Sequence, residues 1–93
     1  MNLTITAQAL SWFQQEMDAT EGDAFRFFVR LGGCSTAQSG FSLGVTKEAA
    51  KEAGLAVDEK GYHFFIEQED LWYLDGHDLT VDTENGALTY LFS

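Results

Sequence analysis

Ala24-Phe25-Arg26-Phe27-Phe28-Val29-Arg30-Leu31-Gly32-Gly33-Cys34 is the run from which the rest of this 93-residue chain is most readily understood. Its first eight residues alternate. Phe25, Phe27, Val29 and Leu31 point one way, and Arg26, Phe28 and Arg30 the other, which is the period of a half-buried strand. The strand empties into Gly32-Gly33, and the single cysteine of the chain, Cys34, follows at once. Glycine permits positive φ and close backbone approach, so such a turn can present amides and one sulfur to the same ligand. A reactive thiol needs thiolate character and access, whereas the ordinary place of a free cysteine is a packed core. Phe41-Ser42-Leu43-Gly44-Val45 alternates again. Two strands therefore flank a stretch longer than a tight hairpin turn, and long ordered loops often carry function.

Outward from that run the pattern is mixed. Leu3 to Ile5 reads as a short strand, and Thr6 as the N-cap of a helix through about Ala19, with Leu10, Phe13 and Met17 on its buried face. Thr46 is positioned to cap a second, shorter helix over Lys47 to Ala53, ended by Gly54. Strands are expected at Leu55 to Val57, Tyr62 to Glu67, Leu71 to Asp75, Leu79 to Asp82 and Ala87 to Phe92. Lys60-Gly61, Asp75-Gly76 and Asn85-Gly86 read as hairpin turns. Short strands joined by tight turns favour antiparallel pairing. The expected fold class is α+β: one domain over residues 1–93, mostly antiparallel and sandwich-like, with a long N-terminal helix and a short middle one. Its core should draw on Leu10, Phe13, Met17, Phe25, Phe27, Val29, Leu43, Val45, Phe64, Ile66, Leu74, Leu79 and Val81.

Composition bounds the chemistry. Hydrophobic residues make up 45% and aromatics 14%, enough for a folded core. A lone cysteine forms no internal disulfide, which fits a reducing compartment, and the first residues lack a signal-peptide pattern, so a cytoplasmic protein is expected. The net charge is -10, and all five cations (Arg26, Arg30, Lys47, Lys51, Lys60) precede Gly61. Phosphate recognition needs clustered cations, so neither nucleic acid nor an anionic membrane is an expected partner. The acid excess suits solubility, a metal or a basic protein face.

Several candidate sites meet plainer readings. His77 with Asp75 or Asp78 could ligate a metal, or simply belong to an exposed Asp-Gly turn. Calcium by an EF-hand route is excluded, because acids counted from Asp75 fall at the wrong loop positions. Cys34 with His77 or His63 has the parts of a thiol hydrolase, but no nucleophile signature surrounds it and the domain leaves little room for a groove. One Cys and two His without ligand spacing make no zinc site within one chain, although two Cys34 thiolates converge if two copies pair. Trp72, Tyr73 and Phe64-Phe65 sit among Glu67, Glu69 and Asp70, which suits core packing rather than base stacking.

The chain resembles the HesB-like family of A-type iron–sulfur carriers over nearly its whole length. The resemblance rests on Leu3-Thr4-Ile5-Thr6-Ala7-Gln8-Ala9-Leu10, on Phe28-Val29-Arg30-Leu31-Gly32-Gly33-Cys34-Ser35, and on Leu74-Asp75-Gly76-His77-Asp78-Leu79-Thr80-Val81-Asp82. That family holds iron or an iron–sulfur cluster through a cysteine in the glycine loop and a Cys-Gly-Cys pair near the C-terminus. Only the first maps here, onto Cys34. The chain is similar to a shorter branch, with Gly-Gly-Cys-Ser-Thr in the loop and Trp-Tyr-Leu-Asp-Gly-His-Asp in the turn. The resemblance implies a non-enzymatic protein of iron–sulfur assembly or iron binding. Cofactor contacts would come from Gly32, Gly33 and Cys34, metal ligands from Cys34, His77 and Asp75, and partners from assembly or acceptor proteins, with a homodimer completing the ligand set. Two other readings stand beside it: a degenerate member that binds proteins through its acidic half, and a thiol redox sensor using Cys34.

Overall fold

The computed structural model describes residues 1–32 and 40–93. Among the described residues, seven strands form two sheets: β1 (Leu3–Ile5), β6 (Leu79–Glu84) and β7 (Ala87–Phe92) in the order β1-β6-β7, and β2 (Ala24–Leu31), β3 (Phe41–Lys47), β4 (Ala53–Glu59) and β5 (Tyr62–Glu67) in the order β3-β2-β5-β4. The pairs β2/β3, β4/β5 and β6/β7 are antiparallel. β1/β6 and β2/β5 are parallel, because the strands of each pair are distant in sequence and need no tight turn. The class is α+β and mostly antiparallel, as the alternating segments and turns imply.

Helix α1 (Ala7–Glu16) begins at Thr6, whose hydroxyl accepts from the Ala9 amide at 3.1 Å. It ends at Met17, short of the expected Ala19, and Asp18 at φ 49 turns the chain away. Phe13 projects from α1 into the centre of the molecule and is fully buried. Its ring meets Phe25 at 4.8 Å, Phe64 at 5.0 Å and Phe27 at 6.2 Å between centroids, a cluster of tilted and edge-on rings. Tyr90 of β7 closes on Phe27 at 6.0 Å, joining the second sheet to the same cluster. Burial pushes the Tyr90 hydroxyl up to about 12, so it remains neutral at physiological pH. Leu79 and Val81 of β6, Leu74, and Phe65 and Ile66 of β5 are also fully buried. Of the expected core, Met17, Val29 and Val45 are only partly buried at its margin.

Two expectations change. Residues 48–52 are not helical; after β3 they cross to β4 on the other edge of the sheet. The crossing is pinned by side chains on the outer face. Glu48 pairs with Arg26, and the amides of Lys51 and Glu52 donate to the buried carboxylate of Glu67 at 3.2 Å. Long-range hydrogen bonds there outweigh a weak local helix signal. The second helical element lies instead at Gln68–Leu74, a 3-10 helix where a strand was expected. It turns the chain from β5 to β6, which lie in different sheets. Gly54 permits its close approach to β4, since a Cβ there would lie 2.5 Å from Leu71 Cδ1. Lys60-Gly61 and Asn85-Gly86 form the two hairpin turns, with positive φ at all four residues. Asp75-Gly76 is not a hairpin: Asp75, at φ 50, caps the 3-10 helix.

Because Phe13 packs the helix against three rings of the larger sheet, Phe13→Ala should cost about 3–5 kcal/mol in a urea melt. A loss below ~1 kcal/mol would mean the rings repack without it.

The candidate site at one end of the larger sheet

β2 delivers the chain to the site. Leu31 is its last residue, and Gly32 follows at φ 92, a conformation that favours glycine. The Gly32 amide donates to the carbonyl of Gly40 at 2.9 Å, so the two ends of the intervening segment are tied together. Gly33 and Cys34 lie outside the described residues. Gly32, the third member of the expected glycine-cysteine group, is exposed.

Phe41 opens β3, opposite Leu31 in register. Its ring packs edge-on against Trp72 of the 3-10 helix, with centroids 5.3 Å apart, and its carbonyl accepts from the Tyr73 hydroxyl at 3.4 Å. Tyr73 packs in turn on Phe92 at 5.9 Å. The ends of the Cys34 segment and the 3-10 helix therefore share one end of the molecule.

The Asp75-Gly76-His77 turn follows directly. The Asp75 amide donates to the Trp72 carbonyl at 3.2 Å, and the His77 amide to the Leu74 carbonyl at 2.9 Å. Both side chains are exposed. Beyond them Asp78 exchanges backbone hydrogen bonds with Ser93, at 2.9 and 3.1 Å, while its carboxylate accepts from the Asn2 amide at 2.8 Å. Among the described residues no three Cys, His, Asp or Glu side chains converge as a metal cage, and Asp75 and His77 supply two at most.

His63 sits elsewhere. It pairs with Ala24 at the opposite end of β2 from Leu31, and its Nδ1 lies 2.7 Å from Asp58. At ~3.3 Å per residue the strand puts roughly 20 Å between His63 and the point where the chain leaves for Cys34. That geometry removes His63 from any shared site with residues around Leu31.

Sequence reasoning missed two features. Arg26, on the outer face of β2, holds Glu48 at 3.1 Å, Glu69 at 3.1 Å and Asp70 at 3.0 Å. Burial works against its charge, but the hydrogen bonds it donates to Asp70 and Glu48 outweigh that, and the guanidinium is held above its ordinary range. These residues, with Phe28, Val29 and Thr46, line an open groove of about 560 Å³. The second feature is apolar exposure. Leu31, which shares a strand face with Phe25 and Phe27, is 83% exposed, and Trp72, expected in the core, is 51% exposed. Tyr73, Phe64 and Phe65 are buried as expected.

The chain matches the profile described as iron-sulphur cluster biosynthesis across residues 1–92. It belongs to that family. The Bacillus subtilis strain 168 protein named pyruvate dehydrogenase inhibitor is 54% identical over 87 residues, covering 94% of this chain and 92% of that protein. An uncharacterised protein of Staphylococcus saprophyticus is 36% identical over 89 residues, covering 92% and 91% respectively. Among solved structures, Escherichia coli SufA, involved in biosynthesis of iron–sulfur clusters, shares the fold with a TM-score of 0.61 at 21% identity. That match covers 99% of this chain and 79% of SufA. The HesB-like resemblance carried by the glycine-cysteine run is thus the family's own. No helix among the described residues of this family member is long and apolar enough to cross a membrane.

Arg26 is the cation that lets three carboxylates share the outer face. Arg26→Met should lower stability by about 2 kcal/mol at neutral pH. The deficit should shrink as salt is added, because repulsion among the remaining carboxylates is screened. A salt-independent deficit in chemical melts would point to lost packing alone.

Proposed function

We propose that this family member acts by binding a protein rather than by turning over a substrate, and that its partner is a pyruvate dehydrogenase. The observation that carries the reading is its 54% identity, along nearly the full length of both chains, to the Bacillus subtilis pyruvate dehydrogenase inhibitor. Supporting it are the strong acid excess and the exposed Leu31 and Trp72 beside an open groove, features of a binding face rather than of a closed reaction site. The test is titration of the purified protein into pyruvate dehydrogenase while pyruvate turnover is followed. Activity should fall with a saturable dependence on inhibitor; turnover unchanged at micromolar excess would reject the reading.

A second reading keeps the family's iron–sulfur chemistry. Cys34 would be the sulfur ligand to iron or a cluster, with Gly32 and Gly33 shaping its approach and His77 and Asp75 as further ligands. A homodimer would bring in a second Cys34, and assembly or acceptor proteins would be the partners. What favours it is membership of the family, together with the turn at residues 75–77 lying at the same end of the fold as Gly32 and Gly40. Anaerobic reconstitution with iron and sulfide should give a charge-transfer absorbance that Cys34→Ser abolishes. Identical, featureless spectra for both proteins would eliminate this second reading.

A further inference from the structure

The exposed side of the 3-10 helix has a definite composition. In a helix of three residues per turn, side chains three apart eclipse one another. Leu71 and Leu74 form one row and pack inward. Asp70 and Tyr73 form another, with Asp70 turned to Arg26 and Tyr73 buried. Glu69 and Trp72 form the third, and Asp75 follows at the cap. The Glu69 side chain is 74% exposed even while one oxygen meets Arg26.

The apolar surface does not stop at Trp72. Its ring rests on Phe41, and Phe41 stands opposite the exposed Leu31. On the other side Glu69 is also part of the groove lined by Phe28, Val29 and Thr46. Within this region Glu48, Glu69 and Asp70 converge on Arg26, Asp75 lies exposed at the cap of the 3-10 helix, and Arg30 lies along the same strand as Arg26. Four carboxylates against two guanidinium groups leave the region acidic.

We infer that Leu31, Phe41 and Trp72, with Glu69 and Asp75 beside them, form a docking surface for a basic segment of a partner protein, one carrying Arg or Lys next to an apolar side chain. The cation lies over the Trp72 ring and between carboxylates, while the apolar neighbour covers Leu31. A cation over an exposed indole is attracted by the ring's negative face, and tryptophan is enriched among residues that dominate interfaces. Charge complementarity selects the occupant: an acidic segment or a nucleic acid would be repelled. This inference deepens the protein-binding reading above by naming the face and the chemistry it takes.

Two tryptophans make the test internally controlled, because Trp12 lies away from this face, its indole donating to the Gly86 carbonyl at 3.1 Å. The isotope-labelled full chain is titrated with the peptide Arg-Leu-Arg-Leu-Arg-Leu, and with Glu-Leu-Glu-Leu-Glu-Leu as control. The Trp72 indole resonance should move saturably with the basic peptide alone and recover in high salt, while that of Trp12 stays in place. The double variant Glu69→Gln, Asp75→Asn should weaken the response about threefold or more while keeping the fold, since asparagine also tolerates positive φ. An unmoved Trp72, or a Trp72 resonance that shifts with protein concentration because a second copy occupies the face, overturns the inference. In the dehydrogenase assay Trp72→Ala should raise the inhibitory concentration about tenfold or more. Inhibition by wild type that Trp72→Ala and the double variant both retain would overturn this surface and leave the function standing. A Trp72 response to the basic peptide without any dehydrogenase inhibition would do the reverse.

Discussion

One side chain organises this protein. Phe13 leaves α1 and enters a nest formed by Phe25, Phe27 and Phe64, so the helix and the two central strands of the larger sheet share one buried cluster. Tyr90 extends it to the smaller sheet. A chain of this length has a small interior, and a few large rings therefore account for much of the buried apolar surface. Both sheets take their positions from that contact. Because β2 is held at its centre by Phe25 and Phe27, the direction in which it delivers Leu31, Gly32 and the residues that follow is set as well.

The same strand serves two purposes by alternation. One face supplies Phe25 and Phe27 to the core. The other supplies Arg26 and Phe28 to an outer groove, where the 48–52 crossing and the 3-10 helix both bring carboxylates. Arg26 makes that convergence tolerable. Its three pairs are a tether as much as an electrostatic gain, since they fix two connections that have little regular secondary structure of their own. The exposed Trp72 is then presented by a segment held from behind by Leu71, Tyr73 and Leu74. A binding side chain with a rigid base loses less entropy on capture than one on a free loop.

Family and candidate residues stand in an informative relation. The glycine-cysteine run and the Asp75–His77 turn are stretches on which the family resemblance rests, and the structure sets Gly32, Gly40 and that turn at one end of the molecule through Phe41, Trp72 and Tyr73. Leu31 and Trp72, which belong to those same stretches, and Arg26, which does not, compose the surface around them. The turn at residues 75–77 and the exposed Trp72 are therefore neighbours in one short stretch of chain.

Strands β1, β2, β5 and β7, the two tight turns and most of the core could be read from the chain, because alternation, Asn-Gly or Lys-Gly turns and aromatic spacing are local properties. Phe13 was legible as a core residue for the same reason: its helical spacing with Leu10 is written in sequence. Three things were decided only in three dimensions. The 48–52 segment took its path from the Glu67 carboxylate and Arg26, which lie far away in sequence. Residues 68–74 became a 3-10 helix because the chain has to pass from one sheet to the other there. Trp72 was left outside for that same reason: as a strand residue it would read as core, and a three-residue period aligns it with Glu69 instead. Local periodicity specifies which elements form. Which of their side chains remain in water depends on where distant strands run, and no short window of sequence holds that information.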